Sequence, residues 1–99
     1  MALVMDPAGA EIRALKRAVE WRDKHVIEIG CGDGRLTQRL ASLGVEKILA
    51  LEADAALVRN ARRQLPKRFI GRVHFRVGQA EHLPAKGGQF DLAVFSWVL

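Results

Sequence analysis

The sequence predicts a single α/β domain built on a mostly parallel sheet. Three observations carry that expectation. Short apolar runs rich in β-branched residues alternate with stretches of helical spacing, a glycine cluster separates the first run from the helical stretch after it, and no internal repeat or low-complexity tract competes. Such alternation makes each strand reach the next through a crossover, which favours parallel neighbours. Ninety-nine residues at 49% hydrophobic and 27% charged, with mean hydropathy near zero, suit one globular core and rule out a second.

Taken in chain order, Asp6-Pro7 pairs a capping side chain with proline at a first helical position, and apolar residues follow at Ile12, Leu15, Val19 and Trp21, so residues 7–22 are expected to form an amphipathic helix. Asp23-Lys24 turns the chain into His25-Val26-Ile27-Glu28-Ile29, which reads as a buried first strand. From Gly34 onward Leu36, Leu40 and Leu43 share a helical face, and Gly44 terminates a helix of about three turns. Lys47 to Leu51 is a second strand ending in Glu52, and Asp54 caps a helix carrying Leu57, Val58, Ala61 and Leu65 as far as Pro66. Arg72 to Val77 alternates basic and apolar residues, as a half-exposed third strand toward a sheet edge would. Residues 78–89, with Pro84, Gly87 and Gly88, are expected to be loop, and Phe90 to Phe95 a buried fourth strand.

One cysteine, Cys31, excludes an intramolecular disulfide, and His25, His74 and His82 are scattered without the paired spacing of a zinc site. A reducing compartment and no structural metal are expected. No apolar run reaches the roughly 18 residues of a membrane span, and Asp6, Glu11 and Arg13 interrupt what a signal peptide would need as a continuous apolar segment. The expected location is cytoplasmic.

The most informative stretch is Glu28-Ile29-Gly30-Cys31-Gly32-Asp33-Gly34, between a buried strand and a helix. Glycines there let the backbone turn sharply and let a ligand approach main-chain atoms. Glu52, 20 residues past Gly32, stands at the end of the second strand, where a carboxylate can accept hydrogen bonds from both hydroxyls of a ribose. Loop and acid together point to a nucleoside-containing ligand. A dinucleotide loop would carry its third glycine at position 35, which is Arg35; here that glycine comes one residue early, at Gly34. Glu28 would oppose a pyrophosphate but suits an ammonium or a water bound to it; the plainer reading is a solvated strand-end acid. Asp33 reads as a helix cap bordering the pocket rather than a ligand. Cys31 reads as a small residue filling a tight loop.

These residues resemble motif I of the class I S-adenosylmethionine-dependent methyltransferases, an acid, any residue, then G-x-G-x-G, with the type 11 branch as the nearest in detail. The likeness continues through Ile48 to Asp54, similar to the family's second strand with its ribose-binding acid at Glu52. Gly78-Gln79-Ala80-Glu81-His82-Leu83-Pro84 resembles the loop along the adenine, and Gln89 to Val94 the strand after it. The resemblance implies a cofactor site of Glu28, Gly30, Cys31, Gly32, Asp33, Gly34, Glu52, Ala53, Gln79, Ala80 and Ser96. One departure is Gln79, where the family usually has an aspartate; its amide oxygen can accept the same hydrogen bond without charge, so a weaker adenine contact is implied.

The implied fold is a Rossmann-like three-layer sandwich with the strands in the order three, two, one, four. The chain stops at Ser96-Trp97-Val98-Leu99, inside the segment that in the family leads toward the active site. Residues 1–99 are therefore expected to be a single incomplete S-adenosylmethionine-binding domain, the N-terminal part of an enzyme and inactive alone. The fourth strand would be left as an open edge through which residues 90–96 self-associate. The implied activity is methyl transfer to a small-molecule acceptor, with no catalytic base assigned. RNA methylation and a non-catalytic interaction module are the alternatives.

The net charge of +5 first suggests a polyanionic partner. Arg59, Arg62, Arg63, Lys67, Arg68, Arg72 and Arg76 supply seven positive charges with no acid between residues 55 and 80, and the remainder carries a net −2. The excess lies on the flank away from the first and fourth strands and lacks interleaved aromatics apart from Phe69 and Phe75, so a solvated face is favoured over nucleic-acid contact.

Overall fold

The computed structural model of the chain describes residues 2–6, 20–79 and 89–96. Its elements are β1 (Ala2–Asp6), β2 (His25–Ile29), α1 (Arg35–Ser42), β3 (Lys47–Glu52), α2 (Ala55–Gln64), a 3-10 turn (Lys67–Phe69), β4 (Val73–Val77) and β5 (Leu92–Ser96). The strands form one sheet in the order β1-β5-β2-β3-β4, every pair parallel. The run β4-β3-β2-β5 is the three, two, one, four order that the family resemblance implied.

The steps from β2 to β3 and from β3 to β4 move the same way across the sheet, so right-handed crossovers put α1 and α2 on one face. Strand alternation supplies the matching side chains. Val26, Ile48, Ala50, Val73, Phe75, Leu92 and Val94 point to that face and pack with Leu40 and Ala41 of α1 and Val58 and Ala61 of α2. Ile27, Ile29, Leu51 and Ala93 form a smaller cluster on the opposite face, with Phe90 and the half-buried Phe95 against it. Asp54 caps α2 as expected, accepting from the backbone N–H of Ala56 at 2.8 Å and of Leu57 at 3.4 Å. At the amino ends of the central strands, Asp91 locks β5 to β2: its Oδ2 accepts from His25 N and its own N donates to His25 O, both at 2.8 Å. His25 also contacts Glu46, Nε2 to Oε2, at 2.6 Å.

The N-terminus departs from expectation. Residues 2–6 form a strand, in register Ala2 with Leu92 through Asp6 with Ser96. Its apolar run Ala-Leu-Val-Met is too short and too near the end of the chain to declare itself in isolation; pairing with β5 decides its state. The fourth strand is thus not an open edge, and the expected self-association through residues 90–96 loses its premise. Of the helix expected over 7–22, residues 7–19 lie outside the described residues, and the described end is not helical: Arg22 and Asp23 form a turn, with Asp23 at φ 62°. Trp21, expected on that helix, is a core residue. The glycine-loop helix has eight residues rather than three turns, because the αL residue Gly34 delays its start and Ser42 ends it. β4 and β5 also start later than expected, at Val73 and Leu92.

The open edge of the sheet is β4, where Val77 is 56% exposed and Ile70 just before the strand 67%. Arg62 guards it by donating to the outward Phe75 carbonyl at 2.6 Å. Among the described residues no helix is long and apolar enough to cross a membrane, and no group of three or more His, Cys, Asp and Glu is placed to hold a metal.

Candidate functional site

The glycine loop leaves β2 at its carboxyl end and returns into α1 within a few residues. Gly30 N and Cys31 N both donate to the Leu51 carbonyl of β3, at 2.8 and 3.1 Å, and Gly34 N closes on the Cys31 carbonyl at 3.0 Å. Gly30, Gly32 and Gly34 hold φ of 79°, 58° and 86°, a region that side chains disfavour. Gly34 and Gly32 need the missing Cβ for different reasons. A Cβ on Gly34 would come within 3.1 Å of the Phe75 ring and 3.2 Å of the Ala61 methyl, so this glycine lets α1 settle against α2 and β4. A Cβ on Gly32 would meet nothing within 4 Å. The space over Gly32 is open, and bare backbone faces it.

Glu52 closes one side of that space. It is 7% exposed; Oε1 accepts from Gly32 N at 3.0 Å and Oε2 from Asp54 N at 2.9 Å. Two main-chain donors fix the carboxylate, and each oxygen keeps accepting capacity for a ligand hydroxyl. Ala53 beside it is exposed. Asp33 acts as a cap from an unexpected position: the N-cap residue is Gly34, and Asp33, one earlier, accepts from Arg35 N at 3.3 Å and pairs with Arg35 Nε at 3.1 Å.

Glu28 lies beneath the crevice rather than at its mouth. It is fully buried, which removes the solvated strand-end reading. Thr37 Oγ1 donates to Oε1 and Ser96 Oγ to Oε2, each at 2.5 Å. Strand parity explains the meeting. Glu28 and Ser96 point to the same face of adjacent strands as α1, whose Thr37 is also fully buried. Thr37 escaped the sequence reading, though the signal was present: it precedes Leu40 and Ala41 by three and four positions, on the inward face of α1, and a hydroxyl there requires a partner.

Cys31 is buried between these acids. Burial first, then the charges of Glu28 and Glu52, push its thiol well above the ordinary range, so it stays a neutral filler, not a nucleophile. Past β4, Gly78 N donates to the Glu52 carbonyl at 3.0 Å, which brings the exposed Gln79 to the same end of the sheet. Ala80, His82 and the rest of that loop, and Trp97, lie outside the described residues.

The basic flank is less uniform than its sequence. Arg72 turns inward and donates to the carbonyls of Ala41 at 3.1 Å and Val45 at 2.6 Å. Arg62 is spent on the Phe75 carbonyl, and Arg68 lies over the Phe69 ring at 4.5 Å.

Residues 26–99 match the family model described as a methyltransferase domain. The chain is 31% identical over 83 residues to a ribosomal protein L11 methyltransferase of an Exiguobacterium species, covering 84% of this chain and 26% of that protein. It is 30% identical over 69 residues to an O-methyltransferase of Penicillium expansum, covering 69% and 25%. The chain thus spans about a quarter of the length of these relatives. In fold it is similar to an S-adenosylmethionine-dependent methyltransferase from Mesorhizobium loti, with TM-score 0.75 and 23% identity over 91% of this chain and 41% of that one. It is also similar to a phosphoethanolamine N-methyltransferase of Haemonchus contortus solved with S-adenosylhomocysteine, with TM-score 0.74 and 24% identity over 86% and 18%. With an acid, a glycine loop open at Gly32 and a second acid at the end of β3, all at the carboxyl edge of a parallel sheet, the chain belongs to the S-adenosylmethionine-dependent methyltransferase family.

Proposed function

We propose that this chain forms the S-adenosylmethionine-binding core of a methyltransferase whose acceptor is a small molecule. The observation that carries the reading is the pairing of Glu52 with Gly32: a carboxylate held by the loop's own backbone, beside a glycine over which there is open space. Strand order then orients the ligand. The adenine belongs on the β4 side near Gln79, the ribose hydroxyls on Glu52 at β3, and the amino-acid end over β2 and β5, where Glu28 and Ser96 meet. Gly30, Cys31, Asp33 and Gly34 shape the loop under it, and Ala53 and Ala80 border the adenosine.

When bound, S-adenosylmethionine supplies an electrophilic methyl group. The chain's residues hold the donor so that an incoming nucleophile is in line, and orientation of that kind accounts for much of the acceleration of a displacement. Proton removal from the acceptor, where its chemistry requires it, is assigned to no residue of this chain. An RNA acceptor is the second reading, favoured by the basic flank; the inward turn of Arg72 and the engagement of Arg62 with the Phe75 carbonyl weaken it.

Thermal-shift measurements with S-adenosylmethionine, S-adenosylhomocysteine, NAD and ATP test the cofactor. Stabilisation by the first two is expected. Stabilisation by NAD alone would overturn the reading.

A further inference from the structure

We propose that Thr37 and Ser96 are positioning residues for the amino-acid end of the cofactor, acting through Glu28; the proposal rests on the cofactor reading above. A carboxylate removed from water is costly to fold, and a well-packed apolar residue in its place is often no worse for stability. Here the carboxyl group is kept and both its oxygens are fixed, one from α1 by Thr37 and one from β5 by Ser96. The result is a carboxyl group with one orientation, beneath the point where the chain order reverses across the sheet and where ligands of open parallel sheets bind.

Its distance from the ribose site suits the role. Glu28 pairs with Ala50 of β3, two residues before Glu52, so one interstrand spacing and two residue rises put the Cα atoms of the two acids roughly 8 Å apart. That is the scale of a ligand with a ribose at one end and an ammonium at the other. A low-dielectric setting strengthens the attraction between a fixed carboxylate and that ammonium, and a carboxylate free to swing would lose it. Thr37 and Ser96 touch neither adenine nor ribose in this arrangement. Their effect is therefore confined to one end of the ligand.

The test compares two probes on the 99-residue chain by calorimetry: S-adenosylhomocysteine, and 5′-methylthioadenosine, which has the same nucleoside but no amino-acid tail. Thr37→Val and Ser96→Ala are each expected to weaken S-adenosylhomocysteine about tenfold, the scale of one charge-assisted hydrogen bond. Both variants are expected to leave 5′-methylthioadenosine within about twofold, and Thr37→Ser, which keeps the hydroxyl, to restore binding. Equal losses for both probes would mean a general structural role and overturn the proposal, as would unchanged S-adenosylhomocysteine affinity in both variants. Wild-type chain that binds the truncated probe but not S-adenosylhomocysteine overturns it too, with the nucleoside site intact. Wild-type chain that binds neither probe defeats the cofactor reading itself.

Discussion

Ser96 Oγ donates to Glu28 Oε2 at 2.5 Å, and this bond joins β5 to β2 where the chain order turns back across the sheet. The acid's other oxygen is taken by Thr37, so Glu28 ties β2 to α1, nine residues on, and to β5, 68 residues on. Glu28→Ala leaves two hydroxyls facing a cavity and is expected to cost about 2–4 kcal/mol. Glu28→Gln is expected to cost less than half of that, because a hydroxyl can turn to accept from the amide. Urea unfolding of the two variants checks the order; equal losses would show that the volume of the side chain, not its hydrogen bonds, is what matters.

The loop glycines separate stability from binding. Gly34→Ala adds a methyl group about 3.1 Å from Phe75 at φ 86°, and is expected to destabilise by about 2–4 kcal/mol from strain and overpacking together. Gly32→Ala carries only the φ penalty, about 1 kcal/mol, since no atom lies within 4 Å of its new methyl. Its effect falls on the ligand, with S-adenosylhomocysteine binding lost while the fold persists. Parallel unfolding and calorimetric titrations distinguish the two, and tight binding by a folded Gly32→Ala chain would show that the ligand does not approach this backbone.

How far the sequence reveals this arrangement depends on the range of the interaction that fixes each part. The glycine loop, the Asp54 cap and the strands β2 to β5 follow from local signals, a glycine cluster, a capping side chain and β-branched runs, while the four-strand order came with the family resemblance. Glu52 was legible because its spacing from the loop reflects one crossover. Thr37 and the inward Arg72 were not, since a threonine and an arginine look the same in sequence whether they meet solvent or a partner 9 or 27 residues away. β1 was hidden for a similar reason: its partner lies at the other end of the chain.

Because β1 covers the outer side of β5, removing residues 1–6 is expected to expose unpaired N–H and C=O groups along β5 and to promote association. Light scattering should then give a larger, concentration-dependent mass for the shortened chain than for the full one. Identical masses at every concentration would argue against the β1–β5 pairing.

The basic flank divides into structural and solvated arginines. Arg72 donates to two carbonyls at the end of α1 and the start of the next segment, Ala41 and Val45, and its removal is expected to cost about 2–3 kcal/mol, as for hydrogen bonds from a charged donor. Lysine cannot reproduce the fork, so Arg72→Lys should recover only part of this. The exposed Arg63 is the control, and Arg63→Ala should unfold at the same urea concentration as the wild type. If Arg72→Ala matched that control, its carbonyl contacts would contribute nothing to stability.

Cys31 gives the fold a dependence on alkaline pH with a definite sign. Burial, then Glu28 and Glu52, raise its folded pKa above the ordinary 9.0, so in the folded chain the thiol keeps its proton while in the unfolded chain it ionises. Above that ordinary value the unfolded state binds fewer protons than the folded one, and stability falls as pH rises, by about 1.4 kcal/mol per pH unit. Below about pH 8 the thiol is protonated in both states and contributes no slope. Cys31→Ser lacks this titration. The stability curves of wild type and Cys31→Ser, measured by urea unfolding from pH 7 to 10.5, are expected to run parallel at first and then separate, the wild type falling more steeply. Curves that stay parallel to the top of the range would mean that the thiol ionises equally well in the folded chain, and that it is not enclosed between the two acids.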